Sequence, residues 1–371
     1  MVAVKASALA DLVRDIFTKA GCSTAEAERI GKYLVSANLT GHDSHGVARV
    51  PRYLHWKKAG VVHADRKVEI VKETPVLAVV DGRNGFGQTV APQAVEIGIR
   101  KAKENGLSMI ALRNAGHIGR VGDWAEMAAE AGLVSVHFVN ASGSVLVAPF
   151  GGTERRLSTA PFVAGVPRAG EHPLILDFAT SIVAEGKVLV ASQGGKKLPA
   201  DSLIERDGKL STDPHLLYGD YSPTGARDHS KGTGAIRAFG DHKGSGLALM
   251  CELLGGSLTG MKATGPDSGN PAGGGDRFRG NGMLSFYIDP KVVDPEDMFP
   301  ADVARYIAFF KSSKPAVAGG EVLVPGEPEQ RTRAERTANG VPLPEDTWAS
   351  IVAAARELGV DESRIQQAGA V

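Results

Sequence analysis

The chain has 371 residues, 43% hydrophobic and 23% charged, an ordinary globular composition long enough to divide into subdomains around sizeable cores. Lys+Arg and Asp+Glu both number 42, so there is neither the basic footprint of a nucleic-acid partner nor a polybasic membrane surface. Its two cysteines, Cys22 and Cys251, make no disulfide framework or zinc site.

Periodicity predicts a first helix through Leu9, Leu12, Val13, Ile16 and Phe17, stopped by Gly21. Ser23-Thr24-Ala25-Glu26 reads as a capping box for a second helix that buries Ile30, Leu34 and Val35 and ends near Gly41. Asp43 or Ser44 is the expected N-cap of the next helix. Strands are expected over 76–80, 107–112, 133–139, 162–166, 174–178 and 283–288. Between them lie a helix from Pro92 to Asn105, with Pro92 in its first turn, a helix around Trp124 and an apolar helix over 247–254. Thr264 to Gly282 reads as a mobile loop. Helices follow through Val303 and Ile307, over 327–339 and over 346–358, with a short final one.

The expected fold class is α/β. An α/β subdomain over 71–300 would be joined to a discontinuous helical subdomain built from residues 1–70 and 301–371. The charged N-terminus rules out a signal-peptide core. No apolar run reaches the ~20 residues of a membrane helix, so the expected setting is the cytoplasm, with reduced cysteines.

The segment Gly41-His42-Asp43-Ser44-His45-Gly46-Val47-Ala48-Arg49 carries the clearest chemistry. On a helical turn His45 and Arg49 would share a face. An imidazole moves protons near neutral pH, and a guanidinium holds a carboxylate through paired hydrogen bonds. The combination suits interconversion of a 2-hydroxy acid and a 2-oxo acid. Arg52 competes with Arg49 as the carboxylate anchor. Ser44 beside His45 also admits a Ser/His hydrolase, although no Gly-x-Ser-x-Gly surrounds it. His42, Asp43 and His45 fit no zinc spacing, and no metal is expected.

No Gly-x-Gly-x-x-Gly follows a strand, so the Rossmann fingerprint is absent. Glycines cluster instead at 116–122 and 240–246 and at Pro325-Gly326-Glu327. Each cluster reads as a tight turn or as a backbone cradle for an anion.

Taken in order, these blocks resemble the malate/L-lactate dehydrogenase family, which includes ureidoglycolate and sulfolactate dehydrogenases and diketogulonate reductase. The resemblance covers nearly the whole chain. It rests on Asn38–Gly46, His117–Glu126, Val134–Asn140, Leu176–Ser181, His242–Gly244 and Val324–Glu327. It implies a nicotinamide-dependent oxidoreductase with a non-Rossmann cofactor-binding fold, and a homodimer. NAD is the expected cofactor, with NADP second. It also implies His45 and His117 as catalytic residues, with Ser44 at the substrate. Cofactor contacts are implied at Gly119, Arg120 and Val121, at Asp177, Phe178, Ala179, Thr180 and Ser181, at His242 and Lys243, and at Pro325, Gly326 and Glu327. Locally, Arg120 reads as a phosphate ligand or a turn cap. Asp177 reads as a ribose ligand or as the orienter of a histidine, and Glu327 as a helix-dipole partner. Asp241 departs from the glycine of many relatives. A related activity, reduction of a cyclic imino acid, would keep the cofactor and change the electrophile.

Overall fold

The computed structural model describes residues 1–194, 197–221, 227–265 and 280–369. Its centre is a mixed seven-stranded sheet. The strand order is Glu69–Glu73, Leu77–Gly85, Leu107–Ala115, Asn281–Ile288, Val134–Ala141, Pro161–Val166 and Leu174–Ala179. Leu77–Gly85 and Leu107–Ala115 run parallel, joined by the crossover helix Gly87–Asn105. The other pairs are antiparallel. This is not a doubly wound parallel sheet, in keeping with the missing dinucleotide fingerprint.

Chain distance does not predict proximity here. Asn281–Ile288 inserts between Leu107–Ala115 and Val134–Ala141, and an irregularity at Asn281 breaks its register with the former. The Asn281 carboxamide accepts the Ile118 N–H at 3.0 Å and donates to the Asn140 carbonyl at 2.8 Å. It thereby tethers the loop that carries His117.

A second core joins both ends of the chain. Leu9, Leu12, Val13, Ile16, Phe17, Ile30 and Leu34 pack with Val341, Leu343, Ile351, Ala355 and Ile365. Val2–Val4 pairs antiparallel with Val341–Leu343. Each large side chain buried there contributes about 1.5–3 kcal/mol relative to exposure. A third core, around Val147, Leu203, Leu217 and Ile236, sits under a small four-stranded sheet. Cys22 and Cys251 are buried and unbridged. Among the described residues no helix is long and apolar enough to cross a membrane, and no group of side chains could hold a metal ion.

Several local expectations change. The helix placed at Pro92 starts at Gly87, so Pro92 lies inside it, just beyond the first turn. The capping box is half formed. Ser23 accepts from the Glu26 N–H, but the Glu26 carboxylate turns to the Asp65 N–H at 2.7 Å, and Asp65 takes the Ser23 N–H. The apolar helix begins earlier, at His242, and passes at Glu252 into a π-helical stretch ending at Leu258. The expected loop 264–282 lies largely outside the described residues, and Asn281 and Gly282 belong to a strand.

Candidate active site

The His45 segment is not one helical turn. Two short 3₁₀ turns, Asp43–His45 and Val47–Arg49, flank Gly46, whose backbone is extended. The shared helical face expected for His45 and Arg49 therefore does not form. Nor does the expected N-cap: the helix Val50–Lys58 starts after Arg49 with no side-chain cap. Asp43 is drawn away by Arg336, whose guanidinium grips it at 2.7 and 3.1 Å, and by the Asn38 amide at 2.6 Å. Asn38 also accepts the Val47 N–H at 2.8 Å. Gly46 is needed for space, since a Cβ there would fall 2.2 Å from Asn38 Oδ1.

This clamp presents His45 to His117. His45 Nδ1 lies 3.2 Å from His117 Nε2. The ring planes differ by 4° with centroids 5.2 Å apart, which is closer to an edge-to-edge hydrogen bond than to a face stack. His45 Nε2 has no partner among the described residues and is the nitrogen open to a ligand. On the other side of His117, Nδ1 lies 2.7 Å from the Tyr53 hydroxyl, which receives the Gln88 amide at 2.9 Å. Burial, reinforced by Arg49, His42 and Arg120, pushes His45 down to about 3. Burial and Arg49 likewise hold His117 well below its usual range. Both shifts favour the neutral imidazole.

Arg49 donates from Nε to the Ser44 carbonyl at 2.6 Å, which holds its guanidinium beside the pair. Ser44 packs against Gly186, where a Cβ would lie 2.7 Å from Ser44 Cβ. Its hydroxyl makes no hydrogen bond to His45, so the nucleophile–base contact of a hydrolase is missing.

The loop after His117 is pinned from below. A Cβ on Gly87 would fall 2.2 Å from the His117 carbonyl oxygen. Gly87→Ala is expected to cost about 1–3 kcal/mol of stability and to lower turnover by displacing His117. Urea denaturation alongside steady-state rates checks both, and a variant of native stability and native turnover would count against this account.

Gly119 continues that loop with a positive φ of 71°. Val121 is buried in the central core, immediately before the helix Gly122–Glu130. Arg120, only 1% exposed, is held by Asp123 at 3.0 Å and Glu126 at 2.8 Å, with Asp177 3.9 Å away. Nη1 makes both of these hydrogen bonds, while Nε and Nη2 are buried with no hydrogen-bond partner among the described residues. Asp177 accepts the Gly122 N–H at 2.8 Å and so caps that helix. Phe178 sits edge-on between Phe162 and Phe239. Thr180 is buried and bonds the Ala160 carbonyl, while Ser181 bonds the Val183 carbonyl. Ala179 ends the strand that precedes them. Pro325 accepts the Ile175 N–H at 3.3 Å, and Gly326 takes a φ of 94° against that strand. Glu327 bonds Lys311 and the Val324 N–H. The Pro325–Glu327 turn therefore lies on the sheet edge that bears Asp177.

His242 and Lys243 open the helix His242–Cys251 and are exposed. No contact joins them to the imidazole pair. Among the described residues Lys243 Nζ has no hydrogen-bond or ion-pair partner. The N–H groups of Lys243, Gly244 and Ser245 are already used by Gly240, Phe239 and Asp241 carbonyls. The side chains, not the helix terminus, are what remains for an anion. Asp241 has a φ of 53°, where glycine is favoured, and binds Arg237 at 2.6 Å.

Sequence reasoning missed Tyr53, Gln88, Asn38 and Arg336. Tyr53 falls one helical turn beyond Arg49, and Gln88 follows Gly85-Phe86-Gly87 at a helix start. Those positions were visible, but their partners were not.

Comparison with known proteins agrees with this architecture. Hydroxycarboxylate dehydrogenase B of Escherichia coli is 37% identical over 361 residues, spanning 97% of this chain and 96% of the relative. The solved sulfolactate dehydrogenase of Methanocaldococcus jannaschii superposes with a TM-score of 0.84 at 31% identity, covering 97% of this chain and 98% of that one. The delta1-piperideine-2-carboxylate reductase of Pseudomonas syringae superposes with a TM-score of 0.76 at 28% identity, covering 96% of this chain and 100% of that one. The sequence profile for malate/L-lactate dehydrogenase matches residues 4–352, and the chain belongs to that family.

Proposed function

We propose that this protein is a nicotinamide-dependent oxidoreductase that interconverts a small 2-hydroxy acid and its 2-oxo acid, with His45 as general acid–base. The observation that carries this reading is the coplanar His45–His117 pair beside Arg49. Hydroxycarboxylate and sulfolactate dehydrogenases among the relatives support the substrate class. When bound, the nicotinamide supplies or accepts the hydride. His45 Nε2 exchanges the proton at the oxygen of the reacting carbon, and His117 orients the ring. Arg49 anchors the carboxylate, and that anion offsets part of the cationic field that adds to burial in holding the imidazoles low. Proton affinity at His45 thus rises when substrate is present. Ser44 completes the substrate side.

Lys243 and His242 would hold the diphosphate of the coenzyme, NAD in the first reading and NADP in the second. Lys243→Ala is expected to raise the coenzyme KM about tenfold, the worth of one charge-assisted hydrogen bond, with kcat little changed. Steady-state titration of NADH and NADPH checks this, and an unchanged KM for both would remove Lys243 from the coenzyme site.

The likeness to a piperideine-carboxylate reductase supports a second reading, reduction of a cyclic imino acid on the same site. One assay separates the two: oxidation of NADH, then NADPH, against a panel of 2-oxo acids and cyclic imines. Turnover of the 2-oxo acids alone supports the first reading, and turnover of the imines alone the second. Inactivity across the panel in folded protein would overturn both.

A further inference from the structure

An imidazole kept neutral by its surroundings is a poor source of protons, and the structure shows where a second source lies. Gln88 Nε2 is 2.9 Å from Tyr53 Oη and 3.4 Å from the His117 carbonyl oxygen. The carbonyl fixes the orientation of the amide, because the flipped form would set oxygen against oxygen. Tyr53 Oη thus receives an N–H, and its own proton has two acceptors in reach. His117 Nδ1 lies at 2.7 Å and the His117 carbonyl at 3.3 Å. The shorter contact favours O–H···Nδ1. With Nδ1 accepting, neutral His117 carries its proton on Nε2, which points at His45 Nδ1. His45 must then carry its own proton on Nε2, the nitrogen open to a ligand.

We propose that Gln88, Tyr53, His117 and His45 form a directed proton relay in which Tyr53 is the positioning residue that sets both imidazole tautomers and replaces the proton His45 gives up. The inference rests on the reading of His45 as the acid–base of hydride transfer. In reduction, hydride from the reduced nicotinamide adds to the carbonyl carbon, and its oxygen takes the His45 Nε2 proton. The His117 Nε2 proton moves to His45 Nδ1, and the Tyr53 hydroxyl proton moves to His117 Nδ1. The relay ends with a phenolate at Tyr53, bonded by the Gln88 N–H. Oxidation runs the same transfers backwards, and solvent restores the resting state after product leaves.

The surroundings suit this direction of transfer. Tyr53 is buried among Phe17, Phe86 and Trp56, and Arg49 is the charge that favours its phenolate. Burial outweighs that attraction and pushes Tyr53 up to about 12, so the phenol keeps its proton at rest. Among the described residues the permanent charges acting on the imidazoles are the guanidiniums of Arg49 and Arg120. Glu185 and Lys187 flank the Gly186 that packs on Ser44, and Glu185 is engaged by the Tyr218 hydroxyl at 2.6 Å. A cationic imidazole is therefore disfavoured, whereas a neutral relay is not.

The test pairs Tyr53→Phe with Gln88→Leu in the full-length protein. Tyr53→Phe is expected to lower the reductive kcat about 10–100-fold with KM for the acid little changed, one to two factors of ten for one lost proton-transfer partner. The alkaline fall in reductive kcat should disappear with the phenol. Gln88→Leu should lower the reductive kcat less than Tyr53→Phe does and move that fall to higher pH, because the phenolate loses its donor. Imidazole ¹⁵N shifts at neutral pH give a readout independent of turnover. Wild type should show Nε2–H on both His45 and His117, and Tyr53→Phe a mixture of tautomers. An Nδ1–H tautomer of His117 in wild type would overturn the relay. So would an unchanged pH profile and kcat in a folded Tyr53→Phe. A wild type with no dehydrogenase activity, or an active His45→Ala, would instead defeat the underlying functional reading.

Discussion

His45→Ala is expected to lower turnover about 10²–10⁴-fold in both directions, the usual worth of a positioned general acid–base. The coenzyme dissociation constant should barely move, because no coenzyme residue depends on the imidazole for its place. The substitution removes one partner of an edge-to-edge imidazole pair and leaves the Asn38–Asp43–Arg336 clamp intact. Steady-state rates, fluorescence titration with NADH and a thermal melt separate the three effects. Comparable losses in turnover and coenzyme affinity would mean that His45 supports the site structurally and does not carry the proton.

Arg120→Met is expected to destabilise the protein by about 3–5 kcal/mol, the cost of removing one partner from a buried ionic cluster. Asp123 would lose its cation, Glu126 the nearer of its two, and Asp177 the guanidinium 3.9 Å away. Arg333 reaches Glu126 at 3.1 Å and Ser36 reaches Asp123 at 3.2 Å, so helices from both ends of the chain meet the sheet at this point. Burial, opposed by Arg120, pushes Asp123 up to about 6. An acid whose pKa is raised in the folded state binds its proton more tightly there than in the unfolded chain. Its favourable contribution is present at low pH and is lost as pH rises from about 3.8 through about 6. Without Arg120 that loss should extend to higher pH. Urea denaturation at pH 5 and pH 8 measures both effects, and a change below about 1 kcal/mol would show that the cluster is screened and energetically idle.

How much was legible in advance depended on the distance over which each feature is encoded. The helices through Leu9–Phe17 and Ile30–Val35 follow from side-chain spacing inside one element, and the structure has them. The strand 174–178 was likewise readable to within a residue. Pro92 misled because the missing N–H of a proline just past the first turn costs the helix less than the packing around it returns. Asp43 misled because a carboxylate that is a good cap in isolation found a better partner in Arg336, 293 positions away.

From the sequence alone came the α/β class, most of the helices and six strands of the central sheet, the absence of a Rossmann turn and the residue types at the candidate site. These are carried by patterns within a few residues and by ordered motifs. Tertiary packing decided the rest. It turned Arg120 from an available cation into the centre of an ion cluster, and it broke the Ser44–Arg49 turn at Gly46. It also brought Tyr53 and Gln88 to His117. Hydrogen bonds and charge pairs act over a few ångströms of space regardless of chain separation, so they exist only once the sheet, the crossover helix and both ends of the chain have packed.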